Sequence, residues 1–350
     1  MLFSQSGYLS KPELMAMADS CLEHTYNFSF TEARAYQQKL KQLSPHHPAP
    51  FFLEALILYW EEFPLTPEKE SSDRFIELMD GCVKQAENML SDEKLYLEGV
   101  FFELFGRAFQ AMFWADNGKS GKVIPDLGPM YGQTKEGFLL KDQFIEFYFS
   151  TGLYNYYIEA YPEAHPIYTP VLSLMHEGDR ELGLRQLNYA IENTTFLKVE
   201  SLLFMSLIQL NYEQDLNTAA LYAERLHRSY PHNIYYQGLL AIIQLHRKHY
   251  HRAEEILVIM EGQNDDYSKM IMAIVRASIS ENGGNGKNAE KLYLSTIELA
   301  ESIGSFADLF QAAGYMGLSR LYEDRGMKTE AKKYTRKAEI HTNYKFILGE

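Results

Sequence analysis

Apolar residues in this chain fall at helical spacing and nowhere alternate convincingly at period two, so the pattern predicts helices joined by turns and almost no strand. A small residue recurs two or three positions into a predicted helix: Ala33, Gly183, Ala219, Ala253, Ala289 and Ala331. The last five are separated by 36, 34, 36 and 42 residues, a period that marks a repeat of two antiparallel helices with short loop insertions. In such a repeat helix B crosses helix A too closely for a larger side chain at the small position. Enlarging it, as in Ala253→Leu or Ala331→Leu, is expected to cost about 1 to 3 kcal/mol, with Ala300→Leu, off the register, milder.

Secondary offsets agree with a tetratricopeptide (TPR) register. Pro45 and Pro231 each lie twelve residues past a small position, where a TPR helix B often ends, and Thr31-Glu-Ala33 recurs as Thr329-Glu-Ala331 at the start of another helix B. Upstream of Ala331, the residues Tyr315, Leu318, Ser319 and Tyr322 fall where the repeat wants aromatic, Leu, small and Tyr, and Ala338 supplies a second small position. Local signals mark helix starts: a capping box at Ser29-Phe-Thr-Glu32, an N-cap with following proline at Thr66-Pro67-Glu68, and caps at Asp179 and Asp215. Gly and Pro cluster at 117–121, 125–132, 161–170 and 282–286. The expected architecture is all-α: one TPR-like α–α superhelix over residues 1–350, interrupted by insertions at about 117–143 and 161–179.

Composition narrows the function. The 350 residues include 25 Tyr and 21 Phe, a load of rings suited to helix interfaces and, where exposed, to protein contacts. A net charge of −14 repels phosphate backbones, so nucleic acid is not an expected partner. Cys21 and Cys82 show no metal spacing and read as buried small hydrophobes. No apolar run reaches the roughly 20 residues that span a bilayer. As written the start of the chain has no leader pattern, which fits the cytoplasm, or export if a leader has been removed.

The stretch Thr151-Gly-Leu-Tyr-Asn-Tyr-Tyr-Ile158, then Tyr161-Pro, then Gly178-Asp-Arg-Glu-Leu-Gly-Leu-Arg-Gln-Leu187, resembles the eukaryotic TPR family of the inclusion-body clearance protein and the tetratricopeptide-repeat-39 proteins. Weaker likeness surrounds Leu95 to Met112. The resemblance implies a non-catalytic adaptor, linked in some members to lipid droplets or protein quality control. The chain departs from it in carrying a tyrosine-rich helix where relatives are aliphatic.

Candidate partner-binding residues follow from the register. On the A helices these are Tyr148, Tyr154, Asn155 and Tyr157, then Phe204 and Asn211, then Tyr235 and His246. A carboxylate clamp, which needs a ring of Lys, Arg and Asn, finds only Asn155 and Asn211. The basic run His246-Arg-Lys-His-Tyr-His-Arg252 reads as an inter-helix turn. His46, His47, His246 and His249 lack companion ligands, so no metal is expected. Gly283-Gly-Asn-Gly-Lys287 is followed by Asn288, not the Ser or Thr of a phosphate loop, and no cofactor is expected. No nucleophile with a paired base is legible, so the chain is not expected to be an enzyme. The expectation is a protein-interaction scaffold with a partner segment in its groove; the alternative is a lipid or small-molecule binder with an aromatic pocket roofed by the insertions.

Overall fold

A computed structural model describes residues 7–164, 169–173, 175–342, 344 and 347, and among them the chain is helical with no strand. The helices run α1 (Pro12–Tyr26), α2 (Phe30–Leu43), α3 (Pro48–Glu61), α4 (Glu70–Met89), α5 (Tyr96–Asp116), α6 (Ile124–Leu140), α7 (Phe147–Ala164), α8 (Thr169–Leu172) and α9 (Arg180–Asn193). They continue as α10 (Lys198–Asn211), α11 (Leu216–Ser229), α12 (Ile234–His246), α13 (Tyr250–Met260), α14 (Asp266–Asn282), α15 (Gly286–Ile303), α16 (Asp308–Asp324) and α17 (Lys328–His341). Sequential helices pack on one another from α1 to α6 and from α11 to α17, and alternate helices pack side by side in the runs α1, α3, α5 and α12, α14, α16. This is the stacking of an α-solenoid. Contacts cluster into two units: unit 1, Met1–Tyr161 with Pro170–Ser201, and unit 2, Pro162–Thr169 with Leu202–Glu350.

The small positions do what the period requires. Ala33, Gly183, Ala219, Ala253, Ala289 and Ala331 are all buried near the start of a B helix. A hydrogen bond recurs at the crossing: Cys21 Sγ donates to the Ala33 carbonyl at 3.4 Å, Ser206 Oγ to Ala219 at 3.0 Å and Ser319 Oγ to Ala331 at 3.0 Å. At these three crossings the A helix offers a small donor to the carbonyl of the small residue facing it, which satisfies a buried hydroxyl or thiol at the closest approach. Ala300 is also fully buried, so it does not serve as the mild off-register site that the sequence suggested.

The turns from A to B helices share one backbone form. Phe28, Gln214, Lys248, Gly284 and Gly326 all adopt positive φ, between 54° and 75°, two residues before a B helix begins. The next amide then bonds five residues back in several of them: Ser29 to the His24 carbonyl, His249 to Gln244, Asn285 to Ser280 and Met327 to Tyr322. These bonds satisfy the last carbonyls of the A helix and reverse the chain.

Asp179 caps α9 through the Leu182 amide at 2.8 Å and Asp215 caps α11 through the Asn217 and Thr218 amides, as the sequence indicates. Two expected starts differ. Ser29 is an N-cap without a side-chain bond, and α4 begins at Glu70 after Lys69, three residues beyond the Thr66-Pro67-Glu68 signal. The expected first insertion, 117–143, is mostly α6, which packs on α5 as an ordinary helix of the stack. Of the second, 161–179, residues 165–168 and 174 lie outside the described residues; the rest comprises the end of α7, α8 and the approach to α9. Among the described residues no helix is long and apolar enough to cross a membrane.

Candidate partner-binding face

In unit 1 the inner sides of the A helices meet one another. Phe52 of α3 packs edge-on against Phe102 of α5; Phe101 of α5 packs against Phe144 and Phe147; both Phe101 and Phe102 reach Phe196, with centroids 5.7 Å away. All but the half-buried Phe144 are buried outright. Three carboxylates sit in this interior. Glu98 accepts the Tyr8 and Leu9 amides at 3.1 and 3.0 Å and meets His47 Nε2 at 2.8 Å. Glu146 accepts the amides of Thr195, Phe196 and Leu197 ahead of α10, and Glu200 accepts the Tyr26 hydroxyl, which ties α1 to α10. Burial pushes Glu146 up to about 7 against the pull of those amides, and raises Glu200 to about 7, with the Glu146 charge adding.

The sequence-selected residues of this unit are engaged internally. The Tyr148 hydroxyl donates to Asp142 at 2.8 Å and its ring lies 4.4 Å from that of Tyr189. Tyr154 packs against Tyr131 and Phe138 of α6 and donates to the His176 carbonyl at 2.7 Å. Asn155 is buried and donates to Gln186 at 2.8 Å, while the half-buried Tyr157 packs edge-on against Tyr156.

Unit 2 offers a different surface. Phe204 and Asn211 lie seven residues apart on α10, and Tyr235, Ile242 and His246 lie seven and eleven apart on α12, so each set shares one side of its helix. Tyr235, Phe204, Asn211 and Ile242 are partly exposed and His246 is exposed. Rings continue from one A helix to the next: Tyr235 lies 6.1 Å from Tyr267 of α14, which lies 6.4 Å from Phe306, in the turn just ahead of α16, and 6.3 Å from Phe310 of α16. Tyr267 is buried beneath the partly exposed Phe306 and Phe310.

The C-terminal ends of the same helices carry charge. Arg320 of α16 holds Glu281 of α14 in a two-pronged bond, Nε to Oε1 at 2.8 Å and Nη2 to Oε2 at 2.9 Å, and its Nη2 also reaches the Tyr293 hydroxyl at 3.2 Å. Burial alone would raise Glu281, but the Arg320 guanidinium and the Tyr293 hydroxyl hold it below the usual carboxylate range. Loss of water around the His246 ring, with the charge of Arg320, lowers its pKa and favours the neutral imidazole. The Arg320 side chain remains 48% exposed, and its Nη1 bonds to none of the described residues. A guanidinium fixed on one edge and open on the other is preorganised to donate to a carbonyl or carboxylate. Arg320 and Glu281 escaped the sequence reading, which followed rings and small residues and gave no weight to charges on the A helices.

Among the described residues no group of His, Cys, Asp and Glu is arranged to hold a metal ion. No family model and no curated protein matches the chain.

Proposed function

We propose that the protein is a non-enzymatic scaffold of TPR type, which holds an extended segment of a partner protein on the A-helix face of unit 2. The observation that carries the reading is the joint placement of the rings Tyr235, Tyr267 and Phe310, with Phe306 just ahead of α16, and the half-exposed, Glu281-anchored Arg320 on neighbouring A helices. Partly exposed aromatic groups and arginine are residue types that dominate protein-binding surfaces, and here they occupy opposite ends of the same helices, about 15 Å apart between Phe310 and Arg320. The ring-to-ring packing inside unit 1 favours this face over an aromatic cavity there. Kinship with the tetratricopeptide-repeat-39 family is part of the proposal. It is supported by Gly152 and Gly183 of the shared motif, which lie where α7 and α9 cross.

The test is selection of peptides from a random library on the full chain, followed by titration of the selected peptide. Tyr235→Ala and Arg320→Ala are expected each to weaken binding by about tenfold, near 1.4 kcal/mol, while Tyr148→Phe in unit 1 leaves it unchanged. Equal affinity for wild type and both unit 2 variants would remove the face from consideration.

A further inference from the structure

A second surface lies on α17, distinct from the A-helix face. Ala331 and Ala338 bury one side of this helix against α16, where Ser319 meets the Ala331 carbonyl. Lys328, Lys332, Lys333 and Arg336 project from the other side, all exposed, and with Thr329 they line a shallow depression. The helical angle turns Lys332, Lys333 and Arg336 away from the alanines, with Lys328 on the flank. Two exposed acids border the stripe, Glu330 in the first turn and Glu339 at the far end of the helix.

Three features set this stripe apart. None of the four cations makes an ion pair or hydrogen bond among the described residues, whereas Arg74, Arg107, Arg276, Arg320 and Arg325 each hold an acid. The chain carries −14 overall, so acids are plentiful, yet neither Glu330 nor Glu339 of this helix holds any of the four. The cations also begin at the first residue of α17, where the helix dipole disfavours positive charge, and the N-cap residue Met327 makes no side-chain cap bond. Positive charge set against its own helix and left without internal partners has its favourable interactions outside the chain.

The geometry points to the outer side of α17 as a docking surface for an acidic segment of a partner protein. Lys328 and Arg336 are eight residues apart, about 12 Å along the helix, which matches about four residues of extended chain. Carboxylates along such a segment meet the stripe one after another, with charge complementarity setting encounter and register. A lipid surface fits less well. Met327 and Ile340, the large apolar groups exposed at the two ends, are separated by about 20 Å and form no common insertion face. A nucleic acid would meet the repulsive field of the rest of the chain.

The experiment titrates a fluorescein-labelled hexaglutamate peptide with the full chain at low and high salt, following anisotropy, alongside co-sedimentation with vesicles of phosphatidylcholine and phosphatidylserine. Saturable binding is expected, weakened by salt and by about tenfold or more in the double variant Lys332→Glu, Arg336→Glu. The control Lys84→Glu, an exposed lysine of unit 1, is expected to bind as wild type. The double variant should melt close to wild type, since both side chains are exposed and neither holds a partner in the fold. Absent peptide binding, or an equal loss in the Lys84 control, overturns the proposal. Capture by vesicles without peptide binding overturns it too and assigns the stripe to lipid.

Discussion

Gly183→Ala puts the helix crossing to a quantitative test. A methyl group at Gly183 would stand 2.7 Å from the Tyr156 nitrogen, 2.8 Å from the Gly152 oxygen and 2.9 Å from Tyr156 Cβ. Carbon contacts relax at about 3.5 Å, and two of these three atoms belong to the α7 backbone, which has no rotamer to change. The helices must therefore part by several tenths of an ångström. Overpacking of this kind costs about 1 to 3 kcal/mol, and the rigid neighbours place this site near the upper end. Alanine's better helix propensity returns about 1 kcal/mol, which leaves a net loss of about 2 kcal/mol. Gly286→Ala is the matched opposite. Its methyl meets nothing closer than Leu321 Cδ2 at 3.6 Å and Arg325 Nη2 at 3.8 Å, so the same chemical change is expected to be neutral or to stabilise by up to about 1 kcal/mol. Trp60 and Trp114, the two tryptophans of the chain, both lie in unit 1, so urea unfolding followed by their fluorescence reports the Gly183 unit directly. Circular dichroism reads the Gly286 variant. A fluorescence midpoint for Gly183→Ala at or above wild type would falsify the tight crossing.

Three further perturbations have definite signs. Gln214→Gly and Lys248→Gly relieve left-handed backbone, φ 54° and 60°, that costs an L-residue about 1 to 2 kcal/mol. Glycine's extra freedom when unfolded takes back about 0.4 to 1 kcal/mol, so each variant should raise the urea midpoint slightly; a lower midpoint would contradict the turn geometry. Glu200, raised to about 7 in the fold, binds a proton there that the unfolded chain releases near the ordinary carboxylate value, so stability should fall as pH rises from about 4.5 to 7. Glu200→Gln should flatten that slope and raise the melting temperature at pH 8, and a slope of wild-type steepness would dismiss the assignment. Glu98→Ala leaves the Tyr8 and Leu9 amides and His47 without their buried acceptor, and is expected to cost about 3 kcal/mol or more by tryptophan fluorescence; a loss under about 1 kcal/mol would mean that water reaches the site.

What the sequence made legible was what sterics leave no choice about. The small residues at helix crossings and the aspartates at helix starts have few substitutes, so Ala219, Ala253, Asp179 and Asp215 could be read directly. The shared turn was hidden, because Phe28, Gln214 and Lys248 occupy a conformation that usually advertises itself with glycine, and only Gly284 and Gly326 announced it. Helix α6 was hidden by Pro125, Gly128, Pro129, Gly132 and Gly137. Pro125 sits in its first turn where a missing amide is harmless, and contacts outweigh weak propensity in the rest: Arg107 holds Asp126 at 2.6 Å and Tyr96 donates to Glu136 at 3.1 Å. The candidate face was half legible. Helical spacing placed Tyr235 and His246 on one side of α12, but a count of rings says nothing about whether they meet other rings or solvent. That is decided by which side chains line the A helices: the Phe101 and Phe102 pair of α5 closes on Phe196, whereas Ile242 and His246 of α12 leave their side partly exposed. Small residues at the crossings thus fix the stacking in both units, and the bulk of the inner side chains determines which unit keeps a surface for a partner.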